Sequence, residues 1–218
     1  MDWRELLRAG EKFDSIEQTF PAPTAYDRVM RELDRSRLPD AAEVMKIYTF
    51  MNRWFSRVPF SKAPDLCTKF VETWDVLSRL SNLSLEDVSM QAPISVGDEY
   101  LVLAHAIQQC FDALEVTIGS TPASKALHVT APGLFVMWDK AIAVALAKGR
   151  SGYHYATVFM PAMKERLEEV LTSYMDDRHC DRKEAIIAIR AQRKRKYSLA
   201  KMLDEFNWVT ITKGQKLS

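Results

Sequence analysis

Apolar residues recur at helical spacing along almost the whole chain of 218 residues. The run from 40 to 58, DAAEVMKIYTFMNRWFSRV, places its apolar members at i, i+3, i+4 and i+7, the period of one helix face. Only 93–96 and 208–212 read as strands. The pattern predicts an all-α fold, a compact multi-helix domain of about eight to ten helices over residues 1–218. The other predicted helices are 24–35, 64–80, 98–116, 123–129, 140–148, 155–175, 181–196 and 198–206.

Composition excludes several kinds of site. The chain has 7 glycines, and none are spaced as in the G-x-G-x-x-G or G-x-x-x-x-G-K-[ST] phosphate loops, so we expect no nucleotide cofactor. Three separated cysteines and four histidines without metal-ligand spacing predict no metal site and a reduced, cytoplasmic protein. No apolar run reaches the roughly 18 residues that a membrane span needs. We therefore expect no cofactor of any kind and no membrane partner.

The net charge of +1 hides a segregated distribution. Residues 178–201 hold nine basic and two acidic side chains, a local charge of +7, so the rest of the chain sums to −6. Such a cluster attracts phosphate backbones in a salt-dependent way. The alternative is a solvated helix end whose cations favour the C-terminal dipole. The candidate nucleic-acid-binding residues are Arg182, Lys183, Arg190, Arg193, Lys194, Arg195 and Lys196.

The segment 118–147, IGSTPASKALHVTAPGLFVMWDKAIAVALA, is the candidate for chemistry. It predicts a short helix that carries Lys125, a connector, and a second helix that begins at Asp139. A carboxylate at a helix start is held by free N–H groups and by the helix dipole, which favour its ionised form. The alternative is an ordinary N-cap and a surface lysine. In a two-lobed version of the fold, this segment forms one core and 178–206 forms a basic C-terminal helical segment.

The string ASKALHVTAPGLFVMWDKAI, together with FMNRWFSR at 50–57, resembles an uncharacterised prokaryotic family with an A-S-K-x-L-H…L-F-x-x-W-D segment. That segment in turn resembles the core of the helix-hairpin-helix DNA glycosylases. The resemblance implies that Asp139 is the catalytic aspartate and that Lys125 stands where glycosylase/lyases have their lysine. The hairpin of that superfamily is usually glycine-rich, whereas 118–126 contains Gly119 alone.

The function implied by the resemblance is excision of a damaged or modified base from double-stranded DNA by a monomeric enzyme. The base is flipped out of the stack, and Asp139 stabilises the sugar cation that forms as the base leaves. A neutral Lys125 attacks the sugar and adds a lyase step; otherwise water attacks. Both DNA repair and antiviral defence against phages with modified bases fit. The candidates for the base pocket, each also a candidate core residue, are Trp138, His128, Tyr153, Tyr155 and Trp54.

Two other functions remain open from the residues. One is a nucleic-acid-binding module that keeps the helical scaffold without chemistry. The other is a protein-interaction domain of helices, in which the basic segment binds a partner.

Overall fold

The computed structural model describes residues 1–17, 23–193 and 197–217. Helices contain 70% of the chain and strands 4%, which confirms the all-α prediction and leaves room for only one hairpin. The first helices are α1 (Trp3–Glu17), α2 (Pro23–Glu32), α3 (Ala41–Arg53), α4 (Ala63–Leu80), α5 (Leu103–Ile118) and α6 (Ser120–Thr130). They are followed by α7 (Lys140–Ala147), α8 (Gly152–His154), α9 (Met160–Arg178), α10 (Arg182–Ala191) and α11 (Leu199–Asn207).

Short irregular helices complete the chain. Single 3₁₀ turns lie at Arg35–Arg37 and Phe60–Lys62. Two π-helical segments follow α8 and α11, at Tyr155–Phe159 and Trp208–Thr212. The first leads directly into α9, so the helix predicted at 155–175 is a π turn followed by an α-helix that has a proline in its first turn.

A β-hairpin precedes α5 and corrects the predicted helix at 98–116. Strand β1 (Pro93–Val96) pairs with the antiparallel β2 (Glu99–Val102), with Val96 opposite Glu99. Gly97 has φ 59°, a conformation that glycine adopts without strain, and it turns the chain between the strands. The helix therefore begins at Leu103. Over four residues, an apolar period of 2 is hard to tell apart from a period of 3.6. The tight turn at Gly97 is the feature that makes this stretch a hairpin.

The strand predicted at 208–212 is wrong, because this segment continues α11 as a π turn. Its β-branched residues favour a strand, but tertiary packing overrides that preference. Val209 is buried, and the Trp208 ring packs edge-on against Phe13 of α1, with 5.3 Å between centroids.

Helix α3 also differs from its prediction at both ends. The spacing of Asp40 and Glu43 is that of a capping box, but Glu43 is buried and accepts the backbone N–H of Asp34 at 2.9 Å instead. The predicted end at Val58 is too late, since the helix ends at Arg53. The five residues that follow form a loop that contributes to the site below.

The buried apolar side chains of all these helices form one connected core. Helix α5 packs against α4 and α6, and α1, which the sequence pattern did not reveal, packs against α11. A ring cluster fills the centre: Tyr155 lies 4.5 Å from Phe111 and 4.8 Å from Trp138 between centroids. Among the described residues, no helix is long and apolar enough to cross a membrane.

Candidate active site

A cavity of about 370 Å³ opens between α1, the loop after α3, α6, the start of α7 and the end of α11. Its volume falls in the usual range for small-molecule sites. Five of its eleven lining residues are aromatic: Phe13, Trp54, Phe55, Trp138 and Trp208.

Four polar side chains also line this cavity: Lys125, Asp139, Asp204 and Lys213. The structure thus brings Lys125 and Asp139 together, with Trp54 and Trp138 from the predicted base pocket. These two ionisable groups stand 14 residues apart in sequence, on opposite sides of the connector between α6 and α7.

Asp139 is the N-cap of α7, as its place before the helix predicts. Its Oδ1 accepts the backbone N–H of Ile142 at 2.9 Å, and its Oδ2 accepts the Thr212 hydroxyl at 2.6 Å. These two bonds hold the carboxylate in one orientation at the cavity wall.

Lys125 is not a surface lysine. Its Nζ donates to the Trp54 carbonyl at 2.6 Å and to the Ser56 hydroxyl at 3.2 Å. Burial lowers the pKa of Lys125 to about 8, while the negative charges of Asp204 and Asp139 act in the opposite direction. A neutral amine has two N–H bonds and one lone pair. The two acceptors take up both N–H bonds and leave the lone pair free to act as a nucleophile.

The loop that holds Lys125 has an unusual backbone. Phe55 and Arg57 both have left-handed conformations, with φ of 61° and 54°, which non-glycine residues adopt at a cost. Asn52 stabilises the loop, because its side chain accepts the N–H of Val58 and donates to the carbonyl of the same residue. The Phe55 side chain is 65% exposed and lies at the mouth of the cavity.

Two of the predicted base-pocket residues are structural instead. His128 is fully buried, and its Nδ1 donates to the Phe135 carbonyl at 2.6 Å while Nε2 accepts the Tyr26 hydroxyl at 2.8 Å. This assignment requires a neutral ring, and burial lowers the pKa of His128 to about 3. Tyr155 is also fully buried and donates to the Val136 carbonyl at 2.8 Å. Helical spacing does not distinguish such core positions from a cavity wall.

A third candidate, Tyr153, lies away from the cavity. Its ring is 56% exposed and packs edge-on against the His154 ring at 5.5 Å between centroids. It is not among the residues that line the cavity.

The sequence pattern missed Asp204 and Lys201, which lie on one side of α11. Lys201 is fully buried, and its Nζ bonds Asp204 Oδ2 at 2.6 Å. The ammonium also lies 4.7 Å from the Phe13 ring centroid and 4.9 Å from that of Trp54, within the range of cation–π attraction. The available signal was the i, i+4 spacing of Asp204 and Trp208, which places both on one helix face.

The basic side chains of the C-terminal segment have different environments. Arg193 has a side chain only 4% exposed, with ion pairs to Asp14 at 3.1 Å and Glu205 at 2.9 Å, so it is not available to bind phosphate. Arg182 forms a two-pronged pair with Glu168, whereas Lys183 and Arg190 are exposed. The predicted phosphate-binding residues that lie outside the described residues are Lys194, Arg195 and Lys196.

No group of three or more His, Cys, Asp or Glu side chains within 1–17, 23–193 and 197–217 is arranged to hold a metal ion.

We predict that Arg193→Ala lowers the free energy of unfolding by at least about 3 kcal/mol, because it leaves a buried carboxylate short of a partner. Urea denaturation measures this change. Arg190→Ala, on the exposed face of α10, is the matched control and should stay within about 0.5 kcal/mol of the wild type. Equal stability of the two variants would contradict the buried pairing.

We also predict that Lys125 titrates with a pKa near 8, against about 10.4 for a free lysine side chain. Competitive acetylation across a pH series, with the extent at each lysine read by mass spectrometry, gives this value, and exposed Lys140 serves as the internal reference. Asp139→Asn should lower the pKa of Lys125 further, because it removes a negative charge that favours the ammonium. Titration of Lys125 near 10.4 would show that the amine is solvated.

Comparison of the chain with models of known protein families, with curated proteins and with solved structures finds no match. Its function must therefore be argued from the residues of the cavity.

Proposed function

We propose that this chain is a DNA glycosylase of the helix-hairpin-helix type that releases a damaged or modified base. The observation that carries the proposal is that Lys125 and Asp139 line a single cavity with five aromatic residues in its wall. In the proposed arrangement α6, the connector and α7 correspond to the hairpin and the aspartate-bearing helix of that superfamily. Double-stranded DNA is the proposed partner, and the enzyme acts as a monomer.

The aromatic wall suits a flipped base. A base that leaves the stack loses its neighbours, and contact with aromatic rings compensates for that loss. Trp54 and Trp208 line the cavity with partly exposed side chains, whereas Trp138, 1% exposed, lines it from the buried core. Trp138 is held in place by hydrogen bonds from its backbone N–H to Ser124 and from its indole N–H to the Ser120 carbonyl. The cavity is thus partly formed before any base enters.

Asp139 stabilises the transition state in this proposal. As the bond between the sugar carbon C1′ and the base nitrogen breaks, its electron pair leaves with the base and C1′ becomes cationic. A fixed carboxylate nearby lowers the energy of that cation without reorganising during the reaction. The bonds from Ile142 and Thr212 hold the Asp139 side chain in one orientation.

Lys125 supplies the nucleophile. With a pKa of about 8, about one molecule in ten carries the neutral amine at pH 7. Its lone pair forms a bond to C1′ while the departing base takes the electron pair of the glycosidic bond. Loss of an amine proton to water and opening of the sugar ring then give a Schiff base, the intermediate of a lyase. When Lys125 is protonated, water attacks C1′ and the base is released without strand cleavage.

Exposed cations around the cavity provide a surface for the DNA backbone. Arg53 and Arg57 flank the loop that contacts Lys125, Lys140 follows Asp139 directly, and Lys213 lines the mouth. These side chains replace Arg193 and Arg182, which are engaged in ion pairs, as proposed phosphate ligands. Each neutralised phosphate makes binding more sensitive to salt.

We expect Asp139→Asn to reduce base release at least about a hundredfold, because it removes the charge that stabilises the sugar cation. Release is measured on a panel of duplexes that each carry one damaged or modified base. Asparagine also caps helices well, so the variant should stay folded and keep its affinity for DNA. Asp75→Asn, on the exposed side of α4, is the control. Unchanged release by the Asp139 variant would overturn its catalytic role, and no release by the wild type would leave only non-catalytic binding.

We further expect borohydride to trap a covalent complex between the wild type and its DNA substrate, and Lys125→Ala to abolish it. The yield should rise with pH through about 8, since a larger fraction of Lys125 is then neutral. Lys213→Ala removes the other lysine that lines the cavity, whose side chain is exposed, and this variant should still be trapped. Wild-type protein that releases a base but never traps would be a glycosylase without a lyase step.

A further inference from the structure

One carboxylate oxygen in the cavity has no hydrogen-bond donor. Asp204 is 6% exposed, and its Oδ2 accepts from Lys201 at 2.6 Å. Its Oδ1 accepts no hydrogen bond from any residue in 1–17, 23–193 and 197–217, and Asp204 lines the cavity. An acceptor in a cavity wall that has no donor from the protein is available to a donor on a ligand.

The other carboxylate of the cavity and its buried lysine are already engaged. Both oxygens of Asp139 accept hydrogen bonds, and Lys125 donates to Trp54 and Ser56. Asp204 is therefore the acceptor that remains for the edge of a planar ligand held against the aromatic walls. An acceptor at this position discriminates between ligands by whether their edge carries an N–H.

Burial raises the pKa of Asp204, and the Lys201 ammonium in direct contact opposes this shift. We take the form of this pair in which Lys201 is charged and Asp204 is ionised, so that the carboxylate accepts hydrogen bonds. Lys201 is itself enclosed by the rings of Phe13, Tyr26 and Trp54 at 4.7 to 5.1 Å, and its charge requires an anion nearby. Asp204 and Lys201 thus form a buried pair with one acceptor directed at the ligand.

We propose that Asp204 determines base specificity by accepting a hydrogen bond from an amino group on the edge of the flipped base. The substrate would then be an amino-bearing base, as opposed to one whose edge carries only oxygens. This inference rests on the proposed function, since it takes the cavity to be the base pocket. A site built to bond an N–H rejects analogues that lack it, because its own polar atom is then left unpaired.

The test measures binding of free methylated bases to the whole protein. Two pairs of bases are used, and the two members of a pair have the same ring system but differ in the amino group. They are 9-methyladenine against 9-methylpurine, and 1-methylcytosine against 1,3-dimethyluracil. Quenching of tryptophan fluorescence reports binding, because Trp54, Trp138 and Trp208 line the cavity. In the wild type we expect the amino-bearing member of at least one pair to bind about tenfold tighter, the effect of one hydrogen bond to a charged group.

The decisive variant is Asp204→Asn, which keeps the size of the side chain. Its amide oxygen can still accept from Lys201, and its NH₂ group then replaces the free acceptor with a donor. The preference for amino-bearing bases should disappear or reverse. Asp75→Asn should leave it unchanged, and thermal denaturation checks that both variants are folded. If Asp204→Asn does not fold, Asp204→Glu, which keeps the charge but displaces the acceptor, should weaken the preference.

A wild-type protein that binds neither member of either pair, or a preference that survives Asp204→Asn, would overturn the inference. These outcomes are distinct from failure of the proposed function. If the protein releases a base from duplex DNA and Asp204→Asn does not alter its selectivity, the role of Asp204 is overturned but the glycosylase proposal stands. If Asp204 controls the preference for free bases but no base is released from any duplex, the cavity is a nucleobase site and the glycosylase proposal is overturned.

Discussion

The site depends on the hydrogen bonds that the backbone of the connector at 131–138 makes inside the core. This stretch is buried and mostly lacks regular secondary structure, so its N–H and C=O groups need partners other than a ladder of backbone bonds. Ser124 bonds the backbone of Trp138, His128 bonds the Phe135 carbonyl, and Tyr155 bonds the Val136 carbonyl. Two of these three side chains lie on α6, so the helix that carries Lys125 also fixes the path of the chain to Asp139.

Lys125 and Asp139 thus share a scaffold but have opposite environments. The aspartate lies at the start of a helix and accepts two hydrogen bonds that hold its carboxylate in place. The lysine is enclosed by the loop at 54–58 and lies beside the Trp54 ring, and burial disfavours its charge. In the proposed reaction, this difference lets one site combine a carboxylate with an amine whose neutral form is accessible near pH 8. The strained backbone at Phe55 and Arg57 is consistent with a functional role for that loop.

Features of the site that depend on residues close in the sequence could be predicted, and features that depend on residues far apart in the sequence could not. The N-cap role of Asp139 follows from its position before an apolar helix, because its partner Ile142 is three residues away. The lowered pKa of Lys125 comes from its burial against a loop that contains Trp54, 71 residues earlier, and no spacing rule links the two.

The same distinction explains the errors. Arg193 looked like part of a phosphate-binding run, but its partner Asp14 is 179 residues away in sequence. His128 and Tyr155 have the spacing of pocket residues and the contacts of core residues. In the fold, the helical period predicted most helices, while the hairpin at 93–102 depended on a single glycine turn. Periodicity reports which side of a helix is buried, and a cavity wall and a packed core both count as buried.

The π turn at Trp208–Thr212 has a consequence for when the cavity can exist. This turn supplies the Trp208 ring and the Thr212 hydroxyl that bonds Asp139, and α1 supplies Phe13 from nearly two hundred residues earlier. Lys125 and Asp139 leave the ribosome well before α11 is made. The complete cavity therefore requires the contact between α11 and α1, which joins segments from distant parts of the sequence. A chain that ends before α11 contains Lys125 and Asp139 but cannot form the wall that Asp204 and Trp208 supply.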